Sequence, residues 1–94
     1  MRIFGLEKLH EFCEKYTDCR PWIQNWLADV RSSKWSTLNE LKERYPTASI
    51  LSNNVVIFNV KGNKYRMAVQ VAINSQVIAV KWIGTHAEYS RRSF

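Results

Sequence analysis

From Leu6 the apolar positions fall at Leu6, Leu9, Cys13 and Tyr16, with Glu7, Glu11, Glu14 and Lys15 between them. This spacing of three or four predicts an amphipathic helix, preceded by a short β-compatible start from Met1 to Phe4 that Gly5 closes. Thr17 and Asp18 interrupt the pattern. It resumes at Trp22, Ile23, Trp26, Leu27 and Val30, so a second helix is expected, with Asp18 as its cap and Pro21 near its start. Thr37 followed by Glu40 has the form of a capping box, in which each side chain satisfies a backbone donor at a helix start. Leu38, Leu41 and Tyr45 make the apolar stripe of this third helix, and Pro46 stops it.

The period then shortens to two. Ile50 and Leu51, then VVIFNV, KYRMAVQVAI and VIAVKWI are rich in β-branched and aromatic residues and bounded by Asn, Gly and Ser. They predict three consecutive antiparallel strands with an extra half-strand near Ile50. A two-residue loop at Gly62-Asn63 pairs Val60 with Tyr65, Asn59 with Arg66, Phe58 with Met67, Ile57 with Ala68 and Val56 with Val69. Alternation then gives one face Val56, Phe58, Val60, Tyr65, Met67, Val69 and Val71, which the helices must cover. The opposite face collects Asn59, Lys61, Lys64 and Arg66, and a turn at Asn74-Ser75 adds Lys81 opposite Ala68, with Val80 and Trp82 sent to the core. A slip of one residue would bury Lys and Arg unpaired at several kcal/mol each, so this parity is the better-determined expectation.

The chain has 94 residues, 46% hydrophobic and 23% charged, the composition of one globular α+β domain spanning residues 1–94. No apolar run approaches the roughly 18 residues of a membrane-spanning helix, and the N-terminus lacks the pattern of a secretory signal, so a cytoplasmic protein without a membrane partner is expected. Cys13 and Cys19 have no His or Cys at zinc-ligand spacing around them; they read as free thiols, and neither a metal nor a cofactor is expected. Net charge is +6. Residues 1–48 carry eight Lys or Arg against seven Asp or Glu, whereas residues 49–94 carry six against one. A basic half of this kind suits a polyanionic partner, above all nucleic acid.

Two readings fit the hairpin cations. Lysines often protect exposed sheet surface, and Lys61 and Lys64 can simply solvate a hairpin tip. Arg66 and Lys81 lie away from the tip and shift the balance towards an anion site. Trp22, Trp26, Trp35 and Trp82 fall mostly at helical or core-facing spacing and read as packing. Glu7, Glu11 and Glu14 read as a solvated helix face, and His10 as structural.

FNVKGNKYR, with YPTASIL before it and WIGTHAEY after it, closely resembles the HigB-type toxins of bacterial toxin–antitoxin modules, within the RelE-like group. The resemblance covers nearly the whole chain. It implies a RelE-like fold, an antiparallel sheet with about three helices packed on one face. It also implies an endoribonuclease that cuts messenger RNA, typically on the ribosome, and that is held inactive by a helix-turn-helix antitoxin of the HigA kind, DNA being reached only through that antitoxin. Carried onto this sequence, the catalytic positions are Lys61, Lys64, Arg66, His86 and Tyr89. Beside them, Asn59 and Lys81, on the same face by register, and Arg91 and Arg92 in the tail are expected to bind RNA.

Metal-free cleavage needs a 2′-hydroxyl to lose a proton, a crowded phosphorane to be neutralised and a leaving 5′-oxygen to gain a proton. Arg and Lys neutralise, and His86 is the natural proton carrier because imidazole titrates near neutrality. Tyr89 could stack on a nucleotide or share a proton. Arg91 and Arg92 read as a basic tail that adds salt-dependent attraction to RNA. Two alternatives remain open: a related-fold toxin that poisons a topoisomerase, and a noncatalytic RNA-binding module.

Overall fold

The computed structural model describes residues 1–92. Its element order is β1 (Arg2–Phe4), α1 (Leu6–Lys15), α2 (Arg20–Ser32), α3 (Leu38–Arg44), β2 (Ser49–Ile50), β3 (Val55–Val60), β4 (Tyr65–Ala72), β5 (Val77–Thr85) and α4 (His86–Ser90). The strands form one sheet in the order β1-β5-β4-β3-β2. The fold is α+β. The sheet is mixed rather than antiparallel, because β1 runs parallel to β5, with Ile3 opposite Ile78. Gly5 makes the entry to α1 possible: its φ is +85°, and a Cβ there would lie 2.5 Å from the Val80 carbonyl oxygen.

The expected hairpin register holds at every pair from Val56–Val69 to Val60–Tyr65. The loop is longer than expected, since Lys61 and Lys64 leave the strands and close a turn in which Lys64 N donates to Lys61 O at 3.3 Å. Positive φ falls on Lys61 (50°) and Gly62 (66°), not on Asn63. Two of the three expected helix starts also differ. Asp18 does not cap α2; Cys19 occupies that position without a side-chain bond, after a 3-10 turn over Thr17–Cys19. At α3, Thr37 Oγ1 accepts from Glu40 N at 3.2 Å, but the Glu40 carboxylate reaches back to Ser36 N at 2.7 Å rather than to Thr37.

The core lies between the helices and the face of the sheet that carries Phe58, Val60, Tyr65, Met67 and Val69. Trp26 of α2 meets Phe58 edge-on at 5.5 Å, and Tyr45 meets the same ring at 5.1 Å. Trp26 and Trp35 are buried as expected, and Trp22 is half-buried against the core. Trp82 is not part of this core. The expected β4–β5 register holds as far as Val69–Val80, then shifts, so that Ala68 pairs with Trp82 and Lys81 is the extra residue of a β-bulge. The shift reverses the parity of the last strand. It turns Trp82 to the face opposite the core, where the fourth helix, absent from the sequence reading, packs against β4 and β5. No helix among the described residues is long and apolar enough to cross a membrane.

Candidate functional site

The end of the sheet where the β3–β4 turn meets the last residues of β5 gathers most of the expected residues. Thr85 pairs with Tyr65, Gly84 with Arg66, and His86 N donates to Lys64 O at 3.1 Å. That bond places His86 directly beside the hairpin turn, with the residue exposed. Thr85 then starts α4 through a complete capping box: its Oγ1 accepts from Glu88 N at 3.2 Å, and Glu88 Oε1 accepts from Thr85 N at 2.8 Å. These bonds hold the Glu88 carboxyl below its ordinary value, the Thr85 backbone donor being the main cause.

The capped turn returns Tyr89 over the sheet, with its ring centroid 5.9 Å from the Arg66 guanidinium carbon. Arg66 is only 9% exposed. Its Nη1 donates to the carbonyls of Asn63, at 3.1 Å, and Tyr65, at 3.2 Å, so the hairpin backbone fixes the fork of the guanidinium. Asn59, half-buried, is the cross-strand neighbour of Arg66 on the same face. Trp82 lies next to this group. Its ring is 6.3 Å from Tyr89, and a Cβ on Gly84 would come within 2.3 Å of it, so glycine at 84 is what lets the indole lie flat across the strand. Arg92 lies over that indole, 5.1 Å from its centroid, so it is part of the cluster rather than of a free basic tail. Arg91 is exposed beyond α4.

Lys61 and Lys64 do not share the face of Arg66. Once they leave the strands, they turn to the helical side and meet Asp18. Lys64 Nζ donates to Asp18 Oδ2, Lys61 Nζ lies 3.5 Å from the same oxygen, and the Tyr65 hydroxyl donates to Oδ1 at 2.6 Å. The hydrogen bond from Lys64, followed by that from Tyr65, pulls the Asp18 carboxyl down to about 2, and Asp18 in turn raises Lys64 and Tyr65. The hairpin that looked unneutralised in sequence therefore has a carboxylate from the turn before α2. Lys81, displaced by the bulge, lines a shallow recess with Lys8, Glu11 and Phe12 of α1 instead of extending the Arg66 face.

A model of the HigB toxin family, the RelE-like toxic component of a toxin–antitoxin system, matches residues 19–92. The chain belongs to this family. As the toxin of a toxin–antitoxin system it has an antitoxin for a partner. No curated protein matches the chain. The family match takes in Arg66, His86, Tyr89 and the hairpin lysines and begins one residue after Asp18. Chemically, the toxin presents a fixed guanidinium beneath an aromatic ring, with an exposed imidazole on the adjoining turn. That set can hold a phosphate, face a base and move a proton. The sequence did not reveal the roles of Asp18, Trp82, Gly84 or the Thr85–Glu88 cap. Two of these left a signal: Thr85 with Glu88 three residues later has the same capping-box form as Thr37 with Glu40, and Gly84 is a glycine at the end of a strand-like run.

Proposed function

We propose that this toxin is an endoribonuclease that cuts messenger RNA engaged on the ribosome, and so stops translation. It would act as a single cytoplasmic domain. One observation carries the reading: Arg66, Tyr89 and His86 come together at one end of the sheet through two backbone devices, the β4–β5 pairing and the Thr85–Glu88 capping box. In the proposed reaction the 2′-hydroxyl attacks the adjacent phosphorus. Arg66 neutralises the crowded phosphorane, His86 transfers a proton, and Tyr89 stacks on or orients a nucleotide. Asn59, Arg91 and Arg92 would touch the flanking RNA, Lys61 and Lys64 would contribute charge shared with Asp18, and Lys81 would contact RNA only from the α1 side. A helix-turn-helix antitoxin of the HigA kind would hold the toxin inactive, and contact with DNA would run through that antitoxin.

The test is a short induction in bacteria followed by mapping of new 5′ ends on messenger RNA. The native toxin should generate new ends; His86→Gln should reduce them by about 100-fold to 10,000-fold, the usual span for losing a positioned acid or base, and Arg66→Ala by about 100-fold to 1,000-fold, the span for losing one donor to the developing charge. If no new ends appear, or both variants cut and arrest growth like the native chain, the nuclease reading is wrong.

A further inference from the structure

Cys13 and Cys19 take no part in the site, yet their sulfurs lie 3.3 Å apart. The chain brings them together by reversing direction: α1 carries Cys13 on its buried face, and the 3-10 turn over Thr17–Cys19 returns Cys19 beneath it. Both are free thiols, and Cys19 Sγ donates to the Tyr16 carbonyl at 3.1 Å. Their access differs. Cys19 is 0% exposed, whereas Cys13, at 7%, lines a recess of about 200 Å³ together with His10, Arg20 and Gln24. Arg20 Nε donates to the Cys13 carbonyl at 3.3 Å, which keeps a cation at that recess. A small oxidant entering there meets Cys13 first.

We propose that Cys13 and Cys19 are a dithiol modification site, oxidised by hydrogen peroxide to an intramolecular disulfide, in which Cys13 reacts first and Cys19 closes the bond. In the first step the Cys13 sulfur attacks one peroxide oxygen. The O–O bond breaks, one water leaves and Cys13 becomes a sulfenic acid. In the second, the Cys19 sulfur attacks the Cys13 sulfur, the S–O bond breaks, and a second water leaves with the Cys19 proton. Two thiols lose two electrons in all, and peroxide is reduced to two waters.

The order of reaction follows from the surroundings. Burial pushes the Cys19 thiol up to about 12, with contributions from Cys13 and Asp18, so Cys19 is a poor first nucleophile. The cross-link would also clamp the turn that carries Asp18, the residue that holds Lys61, Lys64 and Tyr65.

Peroxide treatment of the native folded chain, followed by intact mass and by alkylation of the remaining thiols, tests this directly. The expected product is a monomer lighter by two hydrogens that dithiothreitol returns to the starting mass. Cys19→Ala should stop at a sulfenic acid on Cys13 that dimedone traps, and Cys13→Ala should leave Cys19 reduced at the same dose. A native product that gains oxygen on either cysteine, or that is a cross-linked dimer, overturns the proposal without reference to either variant. Oxidation of Cys19 at an undiminished rate in Cys13→Ala also overturns it.

Discussion

One carboxylate at Asp18 organises the hairpin that the lysines seemed to make purely cationic. In sequence, an Asp three residues before Pro21 fits a helix cap. Its true partners are 43 to 47 positions along the chain, too far to leave a local pattern. The linkage has a definite sign. Because folding lowers the Asp18 carboxyl from 3.8 to about 2, its stabilising effect is complete above the ordinary carboxylate range and is lost as pH falls through about 2. Between about pH 5 and about pH 2, the urea midpoint of the native chain should therefore fall more steeply than that of Asp18→Asn. Equal slopes would mean that the carboxylate does not hold the hairpin. Arg66 and its cross-strand neighbour Asn59, by contrast, were legible, because pairing register depends on alternation within a few residues of the turn.

At the scale of the element, β5 decides what the outer face of the sheet can do. The sequence specified its start and its pairing as far as Val80; the bulge at Lys81 was not visible, since one extra residue leaves the apolar composition of VIAVKWI unchanged. Without the bulge Trp82 would enter the core. With it, the indole lies across Gly84 and supports Tyr89 and Arg92. Gly84→Ala should therefore disturb α4 more than the sheet. A methyl group 2.3 Å from the indole forces the ring to move, an overpacking cost of about 1–3 kcal/mol. The expected result is a melting temperature lower by about 4–8 °C for each kcal/mol, a changed Trp82 environment by fluorescence or NMR, and reduced toxicity when compared at equal amounts of folded protein. Full toxicity despite a displaced indole would show that the Trp82–Tyr89 platform does not position the site.

For the whole molecule, the sheet separates the core on one face from the proposed site of Arg66 and Tyr89 on the other. This division was readable from the parity of β3 and β4, whereas the distribution of the lysines was not, because loop residues escape alternation. Loss of toxicity in a variant can accordingly arise in two ways, and melting distinguishes them. Phe58 is 1% exposed between Trp26 and Tyr45, so Phe58→Ala should cost about 3–5 kcal/mol out of a total of about 5–15. At about 4–8 °C for each kcal/mol, its melting temperature should drop far enough for the toxin to disappear from the cell, and toxicity with it. His86 is exposed and tied to the hairpin by its backbone, so His86→Gln should stay within about 0.5 kcal/mol of the native chain and accumulate normally while losing cleavage. If His86→Gln melts like the native chain and still cleaves and arrests growth, the assignment of His86 as proton carrier falls.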